Sequence, residues 1–537
     1  SEMCIRDSIE VLRGPNSVLH GQGAVAGTVN VVTKSAEVGE QNRVDALASL
    51  GRYGTYQLGL GAGGGLSDNT WYRFDVSQRE SEGYIDRMDP SSLNTTGSLL
   101  WMASDTLAIK LSFDHLSDEL ADYWGTPLVP TAAARSPMNN VISTRTGETL
   151  DSAMQGLNYN VTDSRAESSQ LFLRGDITWN PAENVTLKNT VYGFDADREW
   201  LNAEGYVYCT EVVDVCKEIG EVQRYYGYFF VFHDQDLFGN RFTAQFDFDL
   251  GGMENSLLGG FETTSLEFER TRGFRRAEPQ VAADAVDPYA PVPGNYGPEE
   301  LRGISPTEIK TSALFLENSL QVSDRLSLVA AFRYEELELD RLNFNSSGVK
   351  EASSFDRDFD WTSWRIGSVL KLRENLAAYV QYSDAKYPIN ANIFLVSGGE
   401  DLDLTDAEQL EIGIKAILTD ANIEATVAYF DIQRDDVLEQ IGVDRAAMVG
   451  GRESNGIEFT ATWTASEQLN IGINAAQTNA EFSRSTNFQN FAGNTPPNVP
   501  ERTTNIWASY DLNSMPLQIG GALRSVSDRF GDNANNI

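Results

Sequence analysis

From about residue 42 onward, apolar and polar side chains alternate in segments of roughly nine to fourteen residues, the period of a strand with two unlike faces. Two such segments, 361–371 and 376–382, flank Arg373-Glu374-Asn375 and predict an antiparallel hairpin. The same alternation predicts strands at 326–335, 409–418, 423–433, 456–464, 469–478, 503–512 and 517–526. Helical periodicity of useful length is nearly absent, which excludes a soluble α/β enzyme.

The connections are sharply unequal. Ser67-Asp68-Asn69, Ser104-Asp105-Thr106, Pro181-Ala182-Glu183-Asn184, Ser323-Asp324-Arg325, Arg373-Glu374-Asn375, Thr419-Asp420-Ala421 and Ser466-Glu467-Gln468 read as tight turns. Residues 117–167, 199–222, 269–307, 339–359, 385–407, 434–453 and 481–500 read as long loops, and the two kinds alternate. All long loops then leave one rim of the sheet and all short turns the other, which describes an outer-membrane barrel with short periplasmic turns and long extracellular loops. The predicted fold is all-β, a large antiparallel transmembrane β-barrel. The count reaches about nineteen strands, whereas bacterial barrels close with an even number, so further strands are expected beyond Ile537. An export signal is likewise expected ahead of the first residue. Residues 1–6 match nothing that follows and stay unassigned.

Charge and composition narrow the function. The 41 Lys+Arg against 78 Asp+Glu leave a net charge of −37, so nucleic acid is not a partner by this reading. No stretch approaches the ~18 apolar residues of a membrane-spanning helix. Trp71, Tyr72, Trp101, Trp179, Trp361, Tyr382, Tyr429, Trp463, Trp507 and Tyr510 fall near strand ends, where interfacial aromatic girdles sit. Cys209 and Cys216 lie in one long loop and predict a local disulfide in an oxidising compartment; free thiols or half of a metal site are the alternatives, and the chain's 3 His argue against the metal. The run Arg270 to Arg276 carries four guanidiniums, which either hold an anion such as lipopolysaccharide phosphate or offset neighbouring carboxylates. Nucleophile elbows, P-loops and metal-spaced His/Glu pairs are missing from the sequence, so no enzyme and no cofactor is expected.

Residues 9–34 read IEVLRGPNSVLHGQGAVAGTVNVVTK. This is a short strand, a Gly-Pro turn, a small helix-like piece, a Gly-rich loop and a second strand, a βαβ-like unit too small to stand alone. It resembles the end of the plug domain of TonB-dependent outer-membrane receptors, with His20 where Tyr is usual and Ala26 where a second Gly is common. Ser17 to Gly23, the Gly51-Arg52-Tyr53-Gly54 tip, Tyr72-Arg73-Phe74, Trp124-Gly125-Thr126-Pro127 and Asp528 to Asn535 further resemble the ferric-siderophore branch. The resemblance implies residues 7–38 as the C-terminal part of a plug and 39–537 as about 19 of 22 barrel strands. It also implies a monomeric gated importer in the outer membrane of a Gram-negative bacterium. Such an importer takes a ferric-siderophore ligand, contacts membrane lipid and lipopolysaccharide, and is energised by the TonB-ExbB-ExbD complex. Haem, a vitamin or an oligosaccharide as cargo, a passive pore, and an adhesion or phage-docking surface are the competing readings.

Alternation places Leu410, Ile412 and Ile414 on one face of their strand and Glu411 on the other, and does the same for Ile457, Phe459 and Glu458. Both glutamates correspond to positions where, in the family, barrel glutamates meet plug arginines, and Arg13 matches one such arginine. An Arg13 ion pair with Glu411, Glu458 or both is therefore expected. The loop aromatics Tyr123, Trp124, Tyr225 and Tyr226, with Arg272 and Arg275, are the candidate ligand contacts.

Overall fold

The computed structural model describes residues 6–13, 18, 27–120, 123–224, 228–275, 284–387, 402–442, 445–484 and 491–537. Nineteen long strands, from Arg43–Leu50 to Leu517–Val526, follow one another in chain order round an antiparallel barrel, with the two-residue Phe344–Asn345 as a minor addition. Lipid offers no hydrogen bonds, so a spanning sheet must satisfy every backbone group from a neighbouring strand. Pairing runs unbroken from the first of these strands to the last. At the seam between Leu517–Val526 and Arg43–Leu50 no paired residues occur among the described residues, and all ten residues of Leu517–Val526 are exposed.

One rim is made of tight turns. Ser67 pairs with Thr70, Ser104 with Leu107, Ala182 with Val185, Ser323 with Leu326 and Arg373 with Leu376. A further turn that the sequence pattern did not announce joins Asp249 to Glu254, where Gly251 and Gly252 take φ of +66° and +88° and the Gly252 N–H donates to Asp249 Oδ1 at 2.7 Å.

The alternation of the strands changes phase along their length. In Leu326–Arg341 the half nearer the turns faces Leu328 and Phe332 outward and Ala331 and Arg333 inward, whereas the other half faces Leu337 and Leu339 inward and Glu336, Glu338 and Asp340 outward. Phe355–Arg373 repeats this, with Ile366 outward near its turn and Trp361 inward beyond it. Above the switch Asp195, Asp236, Glu267, Glu308, Asp340 and Asp356 stand opposite one another on successive strands. Facing carboxylates repel, and only water makes such a row tolerable. The switch therefore marks the edge of the lipid band. Tyr334, Tyr382 and Tyr429 sit on it, donating their phenols to Glu336, Glu408 and Asp431 at 2.9, 2.7 and 3.3 Å.

This inversion corrects several expectations. The segments 269–307 and 434–453 are not wholly loops, because Glu254–Arg275, Glu299–Ser323, Ile423–Gly442 and Arg445–Thr464 carry the sheet well beyond the membrane. Out there the outward face is wet, so the lipid-facing pattern no longer identifies a strand. Trp361 is buried in an apolar wall inside the barrel mouth with Phe268, Ile309, Leu337 and Leu339, and Trp71 is also buried and inward, so neither belongs to the girdle. Trp101, Trp179, Trp463, Trp507 and Tyr510 do present exposed rings near the turn rim.

The leading strands Arg6–Arg13 and Gly27–Thr33 pair antiparallel, so the unit is a long hairpin rather than the parallel crossover of a βαβ pattern; its connection is at the lower limit of about a dozen residues for such a crossover. It lies inside the barrel. Val18, 1% exposed, is buried between the inward side chains Phe315 and Ala331. The chain leaving the hairpin is tied to the opposite wall, where the Ala36 N–H donates to Ser98 Oγ at 2.7 Å and Lys110 Nζ to Ser35 Oγ at 2.8 Å.

At the loop rim, residues 123–164, 204–224 and 284–298 fold into one cap. The short strands Tyr206–Tyr208, Val222–Arg224 and Ala285–Val286 form a sheet across two of these loops. Arg224, fully buried, donates from Nε to the Tyr159 carbonyl at 2.6 Å and from Nη2 to the Val292 carbonyl at 2.8 Å, joining all three. Asp151 accepts from the Arg135, Ser136 and Ala153 N–H groups at 2.6, 3.0 and 2.9 Å and from the Tyr289 phenol at 2.9 Å, while the Arg135 guanidinium stacks 3.5 Å over the Tyr289 ring. A disulfide joins Cys209 to Cys216.

Two predictions follow from these surfaces. Ile414, 49% exposed on the lipid face, becomes costly as a cation: Ile414→Arg loses about 2–4 kcal/mol in reversible unfolding from bilayers, whereas Asp358→Arg, above the band, changes stability by less than ~0.5 kcal/mol. Burial opposes ionisation of Asp151, but its four donors outweigh that and hold the carboxyl below its ordinary value. Its stabilisation is therefore complete above the unfolded value of about 3.9 and is lost as pH falls toward the lower folded value. Limited proteolysis of residues 123–164 is expected to accelerate below pH ~4 in the parent, and at neutral pH in Asp151→Ala, whose cap loses about 1–3 kcal/mol.

Candidate functional site

Two places on the inner wall carry the candidate chemistry. The first is where the leading hairpin meets the barrel. Glu411, on Thr405–Leu418 between the lipid-facing Leu410 and Ile412, is 6% exposed and points inward. It accepts from the Tyr379 phenol and from Gln381 Nε2, the latter at 3.4 Å. Glu458 lies on the same inward face two strands away, since Glu411 stands opposite Phe430 and Glu458 opposite Ala428. A cavity of about 740 Å³ separates hairpin from wall here, lined by Val11 of the hairpin and by Glu411, Tyr379, Lys415 and Thr460 of the barrel. The Arg13 backbone pairs with Gly27, and its side chain lies outside the described residues.

The surrounding wall is rich in ion pairs. Arg73 Nη2 reaches Asp45 at 2.8 Å and Asp75 at 2.5 Å, Arg333 reaches Glu262 at 3.2 Å and Glu335 at 2.8 Å, and Arg365 pairs with Glu317. Space for Arg73 comes from glycine: a Cβ on Gly61 would stand 2.6 Å from its Nη2. These contacts are polar and short, so they set register while remaining exchangeable for water.

The second place is the barrel mouth above the lipid edge. Alternation puts Arg198 and Trp200 on the inward face of Val185–Ala203, and pairing sets Arg198 opposite His233 and His233 opposite Arg270. One step toward the rim, Trp200 stands opposite Val231, and Val231 opposite Arg272. Trp124, 46% exposed, packs edge-on against Trp200 with centroids 5.3 Å apart, and the Arg198 guanidinium lies 5.1 Å over the Trp200 ring. Trp200 Nε1 donates to Glu204 at 2.5 Å. His233 rests against Phe268, centroids 5.0 Å apart, and its Nε2 is buried with no hydrogen-bond partner among the described residues. The outward neighbours Asp234 and Asp236 place it above the lipid. Burial first, then the flanking Arg198 and Arg270, push the imidazole down to about 4, so it is neutral at physiological pH.

The expected ligand contacts divide accordingly. Trp124 packs on Trp200 at this mouth and Arg272 lies two strands from Trp200 at the same level; the Tyr123 hydroxyl is 2.8 Å from Thr126 Oγ1. Tyr225, Tyr226 and the Arg275 side chain lie outside the described residues. Arg272 and Arg275 belong to a strand rather than a loop. Arg198, Trp200 and His233 were not anticipated. Their signal was the alternation of Arg198-Glu199-Trp200-Leu201, which resembles loop sequence because it runs on beyond the lipid.

The family model for the TonB dependent receptor-like β-barrel matches residues 41–537. The ferrichrome outer membrane transporter/phage receptor of Escherichia coli K12 is 23% identical over 565 residues, covering 98% of this chain and 70% of that protein. The probable TonB-dependent siderophore receptor PiuA of Acinetobacter baumannii is 19% identical over 581 residues, 99% of this chain and 74% of its own length. The solved PiuA structure superposes with a TM-score of 0.81 at 17% identity, covering 99% of this chain and 78% of that one. The closed form of the ferric-catecholate import receptor Fiu of Escherichia coli K12 gives 0.82 at 17% identity, covering 98% and 77%. With a barrel wall matched along nearly its whole length and a hairpin lodged within it, the chain belongs to the TonB dependent receptor-like β-barrel family.

Proposed function

We propose that this protein is a receptor of the Gram-negative outer membrane that imports ferric-siderophore complexes. A chelate binds at the mouth, the plug to which residues 7–38 belong blocks the lumen, and TonB, driven by ExbB and ExbD, supplies the work that moves the plug aside. Residues 39–537 then form the barrel wall, a monomer in contact with lipid and lipopolysaccharide. The observation that carries this reading is the hairpin inside the lumen, with Val18 buried against Phe315 and Ala331. A passive pore has no use for such an obstruction. The names of the relatives, a ferrichrome transporter and siderophore receptors among them, support the cargo class.

Within this reading Arg13 pairs with Glu411, Glu458 or both. Removing one member of such a pair strands a charge, while removing both relieves it. Arg13→Ala and Glu411→Ala are each expected to cost about 3–5 kcal/mol of hairpin docking, and the double variant less than the sum, measured by hydrogen exchange over residues 27–33. A strictly additive double variant removes the pair from the account.

Uptake itself is tested in a host without its own ferric-siderophore receptors. Radioiron presented as a ferric siderophore should bind outer membranes carrying the protein whether or not TonB is present, and enter cells only when TonB is present. Entry at equal rates without TonB would point to a pore.

A further inference from the structure

The mouth contains one arrangement that goes further than a general siderophore site. The lumenal residues at one level, read strand by strand, are Asp118, Ser168, Arg198, His233, Arg270 and Ser305, each standing opposite the next. Strands lie about 4.8 Å apart, so Arg198 and Arg270 flank the imidazole about 10 Å from each other. One step toward the rim come Trp200 and Arg272, with Trp124 leaning on the Trp200 indole. Arg198 is exposed, and among the described residues it forms no salt bridge; its contact is the Trp200 ring. Two nearby carboxylates are engaged: Asp118, three strands away from His233, with Ser168, and Glu204 with the Trp200 N–H.

The chain as a whole carries −37, and its outer face above the lipid is a row of carboxylates. An anion approaching this face meets repulsion from the outward carboxylates and attraction where positive charge is gathered on the inner wall. The wall gathers three guanidiniums on the inward face at the mouth, next to two indoles and a neutral imidazole. Guanidiniums recognise ionised oxygens in pairs, and indoles recognise flat rings by stacking. A ligand that rewards both has ionised oxygens attached directly to an aromatic ring.

Resting on the receptor reading above, we propose that the Arg198–His233–Arg270 row, with Trp124 and Trp200, selects anionic aromatic chelates of ferric iron, the catecholate class, over neutral hydroxamate chelates and over anionic carboxylate chelates that lack a ring.

The test uses the full chain in detergent micelles and reads quenching of tryptophan fluorescence by three probes: ferric tris-catecholate, a neutral ferric trihydroxamate of similar size, and ferric citrate. Ferric tris-catecholate is expected to bind at least tenfold more tightly than either of the others. Arg198→Gln, at an exposed position that leaves the barrel pairing untouched, should weaken it about tenfold and leave the trihydroxamate unchanged. Trp124→Leu should weaken the catecholate and not the citrate. A catecholate affinity within twofold of the parent in Arg198→Gln, or ferric citrate binding as tightly as the catecholate, overturns the selectivity while leaving the receptor reading in place. Failure of all three ferric chelates to bind overturns both.

Discussion

Everything in this molecule follows from the need to satisfy backbone hydrogen bonds where the solvent is hydrocarbon. A strand in lipid must be paired on both sides, which curls the sheet into a barrel, and its outer side chains must be apolar while its inner ones face water. Ile412 and Ile414 outward with Glu411 inward is that rule over three successive residues. The lumenal ion pairs are a consequence of it: the apolar residues are committed to the outside, so the inner wall is built from Arg73, Glu262, Arg333, Glu335 and their like.

The same constraint releases the chain above the lipid, and the strands use that freedom. Once water surrounds both faces, carboxylates move outward, and apolar residues turn in to make the wall of Phe268, Ile309, Leu337 and Leu339. Tyrosines at the transition bridge the two regimes, ring in lipid and hydroxyl on the first carboxylate. The inversion thus does two things with one change of phase. It ends the membrane band, and it lines the barrel mouth with surface able to receive an apolar or aromatic ligand.

Legibility in the sequence divided along the same boundary. Within the lipid the period of two is obligatory, and the strands around Glu411, Glu458 and the tight turns after Ser67, Ser104 and Ser323 were readable from alternation and turn chemistry. Beyond it the alternation persists with opposite meaning, so the upper halves of Glu254–Arg275 and Ile423–Gly442 resembled loops, and Trp361 resembled a girdle residue. The cap left no local trace at all. Arg224 is tied to the Tyr159 and Val292 carbonyls, far away in sequence, and no short-range pattern encodes a bond between a guanidinium and a distant backbone oxygen. Nor does the row at the mouth appear in any one segment, because Arg198, His233 and Arg270 meet only through the register of three strands.

Register also explains why the mouth and the hairpin contact can belong to one mechanism. The strand Glu299–Ser323 offers Phe315 to the buried Val18 and, three inward positions higher, Ile309 to the apolar wall beside Phe268. His233 packs at a tilt against that same Phe268, within the basic row. A ligand settling against the mouth therefore presses on side chains that share strands with those gripping the hairpin. The strands themselves cannot slip, since a shift of one residue would turn every lipid-facing side chain inward. Any response must pass through side chains and water-exchangeable polar contacts on the inner wall; among the described residues the hairpin has no strand pairing to the barrel and is held through Val18, with Ser35 and Ala36 just beyond it tied to Lys110 and Ser98.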